Sequence, residues 1–113
     1  MNALKIFIPG LLAIAGSAAY ADGTVVTQAY EVALNNLRLP GSPNGTLAFR
    51  TCDECDTRTI RVTVGTNYVV NQESVELKDF RQSLARVGDR AAAMVVVMHH
   101  LETDTVTSVR IVL

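Results

Sequence analysis

A small β-rich α+β domain with a single helix is the fold class this sequence predicts, and three features predict it. Residues 57–64 alternate Ile60, Val62 and Val64 with Thr59, Arg61 and Thr63, the two-residue period of a half-buried strand. Residues 92–101 form a near-continuous apolar run, which suits a strand covered on both faces within a sheet. Between them, from Lys78, the period lengthens to that of a helix, with Phe80, Leu84 and Val87 at i, i+4 and i+7. The chain has 113 residues, 49% apolar and 19% charged, too short for two ordinary domains and too apolar for disorder.

Residues 1–21 read as an export signal and are set aside from the fold. Lys5 supplies the positive start, residues 6–15 the apolar stretch, and Ala19-Tyr20-Ala21 an A-x-A cleavage site. Roughly ten apolar residues are half of what a membrane-spanning helix needs, so cleavage is favoured over a retained anchor. A cut between Ala21 and Asp22 leaves one domain, residues 22–113, with no membrane span and a periplasmic or secreted address. No Cys follows the cut, which argues against a lipid-anchored N-terminus. Losing Lys5 moves the formal net charge from −1 to −2. That is not the basic excess of a nucleic-acid binder.

The remaining elements follow in order. Residues 25–34 mix helical spacing (Val26, Tyr30, Ala33, Leu37) with a β-branched composition, and are read as a strand. Two prolines and two glycines make residues 39–45 a loop. Residues 47–52 form a short strand with Leu47 and Phe49 on one face. After the strand at 57–64, Gly65-Thr66-Asn67 turns the chain. Residues 68–70 and 74–77 then make a small hairpin or a bent strand. The helix follows, with Asp79 and Arg86 suited to its dipole and Gly88 as its stop. Strands at 92–101 and 105–113 are joined by a turn at Glu102-Thr103-Asp104.

The expected architecture is a small sheet or OB-like barrel of five to six strands. Its helix falls between the third and fourth strands of the barrel. Counted from Leu47, this order resembles the OB-fold over about two thirds of the mature chain. A sheet capped by one helix without closure gives the same string of elements.

Cys52-Asp53-Glu54-Cys55 admits three readings. A redox pair needs a lowered thiol pKa, yet both intervening residues are acidic and a strand rather than a helix follows. A zinc site needs about two more ligands, from His99 or His100 and a nearby carboxylate. Adjacent strand residues face opposite ways, so only one of the two imidazoles could easily join. A disulfide across a tight turn suits an exported protein and is the preferred reading. It requires no cofactor.

His99 and His100 are otherwise expected at a strand end, one packed and one in solvent, with no partner set by spacing. After Lys5, eight of the nine cations are arginines, at positions 38, 50, 58, 61, 81, 86, 90 and 110. Neighbouring acids point to mutual salt links as their main role. Phe49 and Phe80 are expected in the core, leaving few rings to stack on sugars or bases.

No nucleophile elbow, phosphate loop, zinc-protease helix or dinucleotide turn is present. The functional expectation is therefore a non-enzymatic binding or accessory protein that contacts another envelope protein, for example by strand addition. The alternatives are a metal or redox accessory protein using Cys52, Cys55 and a histidine, and a small-ligand or oligosaccharide binder.

Overall fold

The computed structural model describes residues 26–113. The expected export signal, its expected cleavage between Ala21 and Asp22 and the beginning of the first expected strand lie outside the described residues. Among the described residues eight strands form one open sheet accompanied by one α-helix, so the β-rich α+β class is the observed one. In chain order they are β1 (Thr27–Ala33), β2 (Leu37–Arg38), β3 (Thr46–Phe49), β4 (Arg58–Arg61), β5 (Asn67–Val70) and β6 (Glu73–Val75). Then come α1 (Leu77–Ala85), β7 (Met94–His100) and β8 (Thr105–Ile111).

The ambiguous first segment is a strand because tertiary pairing decides it. All seven residues of β1 pair antiparallel with β7, which buries Tyr30 and Val32. Only the 3-10 turn Leu34–Asn36 separates β1 from β2. This first stretch therefore pairs with β7 through one half and with β3 through the other.

The sheet path runs β1-β7-β8-β4-β3-β2, and its two ends belong to one bent piece of chain. With β4 parallel to β8 and α1 preceding β7, the pairings follow the OB-like order. The count begins at the β1–β2 stretch, however, and not at Leu47. Eight strands replace the expected five to six because the first strand is interrupted and residues 67–75 form a true hairpin. Asn71 and Gln72, both at positive φ, make its turn.

The strand expected over 57–64 stops at Arg61. Ile60 and Val62 are buried as expected, but Val64 is 76% exposed. The Val62 N–H still donates to the Gly45 carbonyl at 2.9 Å, after which the chain leaves the ladder. Thr63–Thr66 closes a turn in which the Thr66 N–H donates to the Thr63 carbonyl at 3.0 Å. The Thr63 N–H in turn donates to Thr66 Oγ1 at 3.1 Å. Thr66 Oγ1 then donates to the Val106 carbonyl of β8 at 2.7 Å. A hydroxyl thereby satisfies a buried acceptor where the backbone has looped away.

The apolar run from Ala92 also differs from expectation. β7 is internal to the sheet, but it is covered on one face only. Val95, Val97 and His99 point into the core, while Val96 and Met98 are half-buried and Met94 is exposed. The cause is economy of layers: one helix covers one face. Between Met98 and His99 a register irregularity against β8 lets both Val106 and Val109 face inward.

α1 buries Phe80 and Leu84 and sets its axis with them. Phe80 meets Tyr68 of β5 with ring centroids 5.3 Å apart. Val87 lies beyond the C-cap residue Arg86 and is half-buried against the core, so the helix ends before Gly88 rather than at it. Leu84→Ala should cost about 2–5 kcal/mol in denaturant melts, whereas Gln82→Ala on the exposed face should stay within about 0.5 kcal/mol.

Candidate functional site

The residues singled out by sequence fall in different places. Cys52 and Cys55 sit in the loop between β3 and β4, with Cα atoms 5.0 Å apart and Sγ atoms 1.95 Å apart. Asp53 between them is tied down rather than free. The Asn36 amide donates to its carboxylate at 2.9 Å, and Arg50 donates to its carbonyl at 3.0 Å. The loop is thus fastened to the bend between β1 and β2. Among the described residues no three His, Cys, Asp or Glu side chains gather into a metal-binding set. The structure does not bring His99 or His100 to the cysteine pair.

His99 does have a carboxylate partner, which sequence spacing had not supplied. Its Nε2 lies 2.7 Å from Asp104 Oδ1 across the β7–β8 turn, where Asp104 adopts a φ of 56°. On the other side of the ring, Nδ1 lies 3.5 Å from Tyr30 Oη, which accepts from Arg58 at the same distance. With Nε2–H donating to the carboxylate, Nδ1 is free to accept from the phenol, so each group in the chain has a consistent role. Arg58 also lies over the Tyr30 ring, 5.3 Å from its centroid.

This arrangement ties β1, β4 and the β7–β8 turn together. The hairpin register is the signal that could have found it: residues five apart across a short turn meet. His100 stands on the opposite face, its Nδ1 3.1 Å from the Thr103 hydroxyl.

The arginines overturn the expectation of mutual salt links. Among the described residues the one ion-pair contact is His99 with Asp104, and no arginine lies within bridging distance of a carboxylate. They bind neutral oxygens instead. Arg81 donates to the Pro40 carbonyl, and Arg90 to the Leu84 carbonyl at the end of α1 at 2.9 Å. Even Asp53, which adjoins Arg50, offers that guanidinium its carbonyl and turns its carboxylate to the Asn36 amide.

Two features remain open to a partner. The first is β1 itself: among the described residues no strand pairs with its second edge, and Gln28, Ala29 and Glu31 are exposed. Beside it lies the uncovered outer face of β7. The second is a cavity of about 570 Å³ where the β2–β3 loop, the Thr63–Thr66 turn and the start of α1 converge. Lys78, Arg81 and Glu76 are its charged residues, and Tyr68 stands in its wall.

The chain matches no protein-family model, no curated protein and no solved structure.

The Tyr68 hydroxyl is buried without a hydrogen-bond partner among the described residues. Such a group costs about 1–3 kcal/mol. Burial raises its pKa above the ordinary phenol value, and the Arg81 charge pulls weakly the other way. Below about pH 10 the phenol is neutral in both folded and unfolded chains, and its contribution to stability is intact. Above that, the unfolded chain ionises first, so stability falls until Tyr68 itself ionises. Ultraviolet titration should show a late-ionising tyrosine, and Tyr68→Phe should remove both it and part of the alkaline loss of stability.

Proposed function

We propose that the protein is exported and acts by binding, with β1 as the strand to which an extended segment of another envelope protein adds. One observation carries the reading: β1 is a seven-residue strand whose second edge is unpaired among the described residues. It contains neither the proline nor the lysine that commonly block such an edge. Strand addition supplies affinity through main-chain hydrogen bonds and specificity through alternate side chains. An incoming segment continues the outer face of Ala29, Val96 and Met98, so it presents small or apolar side chains there. Glu31 lies on that same face, two residues along from Ala29 and opposite Val96, and favours a basic residue beside it.

The A-x-A tail of residues 19–21 and the closely placed cysteines support an oxidising address. In this reading Cys52 and Cys55 are a structural disulfide, and neither catalysis nor a cofactor is needed. A periplasmic location accounts for both features together.

Photo-crosslinkers at Ala29 and Glu31 should yield an adduct with one envelope protein, and one at Gln82 should not. Ala29→Lys should abolish the adduct while changing stability by no more than about 0.5 kcal/mol. Equal adducts from Gln82, or adducts only with copies of this chain, would refute the reading. The double variant Cys52→Ala, Cys55→Ala should fold, lose about 2 kcal/mol of stability and still give the β1 adduct.

A further inference from the structure

The cavity at the start of α1 has features that strand addition does not use. Its charged lining is Lys78, Arg81 and Glu76, a net positive balance on a protein whose overall charge is negative. Neither cation has a carboxylate partner among the described residues. Arg81 is also part of a second cavity, of about 380 Å³, whose other charged residues are Arg38 and Arg90. Positive potential thus concentrates around the Arg81 guanidinium, where low-dielectric walls strengthen it.

Three further observations bear on what the cavity would take. α1 starts at Leu77 with no side-chain cap hydrogen bond, and Asp79 is the acidic residue of its first turn. Independently, Tyr68 in the cavity wall is only 5% exposed and its hydroxyl has no partner among the described residues. A buried donor without an acceptor, close enough to Arg81 to feel its charge, suits a carboxylate bound at the guanidinium. The rest of the wall is apolar: Pro43, Val64, Val75 and Leu77. Val64 owes its exposure there to the Thr63–Thr66 turn, which swings it out of the sheet.

We infer that this cavity binds a small amphiphilic carboxylate, head on Arg81 and Lys78 and aliphatic or aromatic body against Val64, Val75 and Pro43. The volume is that of a small-molecule site. Arg81 offers a planar fork that matches a carboxylate, and Lys78 adds a mobile point charge. Tyr68 donates its hydroxyl after a side-chain adjustment at the cavity wall. Glu76 at the mouth disfavours a doubly charged head, so the site prefers a monoanion.

The test is titration of the purified protein with hexanoate, hexanol and inorganic phosphate, followed by amide NMR shifts and calorimetry. Hexanoate should saturate, with the shifts centred on Tyr68, Lys78 and Arg81. Hexanol and phosphate should each bind about tenfold more weakly or worse, since one lacks the charge and the other the apolar body. Lys78→Gln, an exposed change, should weaken hexanoate several-fold with melting temperature unchanged. Tyr68→Phe should weaken it about tenfold without loss of stability near neutral pH, a split that a merely structural tyrosine would not give. Absence of saturation, equal binding of hexanol, or equal binding of phosphate would each overturn the proposal. So would hexanoate affinity that neither variant alters.

Discussion

Strand β8 must be hydrogen-bonded along both edges, and most of the architecture follows from how that requirement is met. One edge is satisfied by β7 through a hairpin. The other faces two separate pieces of chain, β4 beside Thr105 and β5 beside Ser108 to Ile111, both parallel to it. Between them the backbone loops out, and the Thr66 hydroxyl reaches the Val106 carbonyl in its stead. A buried carbonyl left without a donor would cost about 1–3 kcal/mol, so this one side chain permits the interruption. Because β4 and β5 lie on a single edge, the chain must then turn back through β6 and cross by α1 to reach β7. The helix lands on the face that carries Tyr68, Val95 and Val109, and among the described residues no second helix covers the other face.

The same interruption shapes the surface. It expels Val64, leaves a hollow beside the start of α1, and sets that hollow opposite the β2–β3 loop, which is held by the bond from Arg81 to Pro40. Structural and binding roles therefore meet at Arg81. It joins helix to loop through one nitrogen, yet no carboxylate neutralises it. Arg90 repeats the pattern at the other end of α1, where it satisfies a terminal carbonyl. Arginines used in this way hold the fold through neutral oxygens, and no carboxylate among the described residues neutralises them.

Opposite the helix layer, β1 and the outer face of β7 present a different surface, flat and weakly charged. The chain of Arg58, Tyr30, His99 and Asp104 links the β1 end of the sheet to β4 and the β7–β8 turn without filling its free edge. A rigid edge strand loses less conformational freedom when a partner adds to it. The two surfaces lie on different elements, so a ligand at α1 and a partner at β1 do not compete for the same residues.

Period and composition were enough to place the helix around Phe80 and Leu84, the strand through Ile60 and Val62 and the turn before Thr105, and they left residues near Asn71 as a hairpin or a bent strand, which the structure makes a hairpin. Each rests on local physics: side-chain alternation, helical spacing, or residues that accept positive φ. The β-rich class with one helix follows from the order of those elements. What sequence could not supply depends on distant chain segments meeting. Residues 27–33, read as a strand from their β-branched composition, find their partner in β7 only on folding, and Val64 is exposed because Thr66 found Val106 forty residues away. The arginines meet neutral oxygens rather than carboxylates, as Arg50 does at the Asp53 carbonyl, while His99 gains Asp104 and Tyr30 because hairpin register and sheet pairing converge there. The unpartnered Tyr68 hydroxyl is likewise a property of the assembled wall. Local propensity specifies elements; only the closed set of hydrogen bonds around β8 decides which edges, cavities and charges remain available.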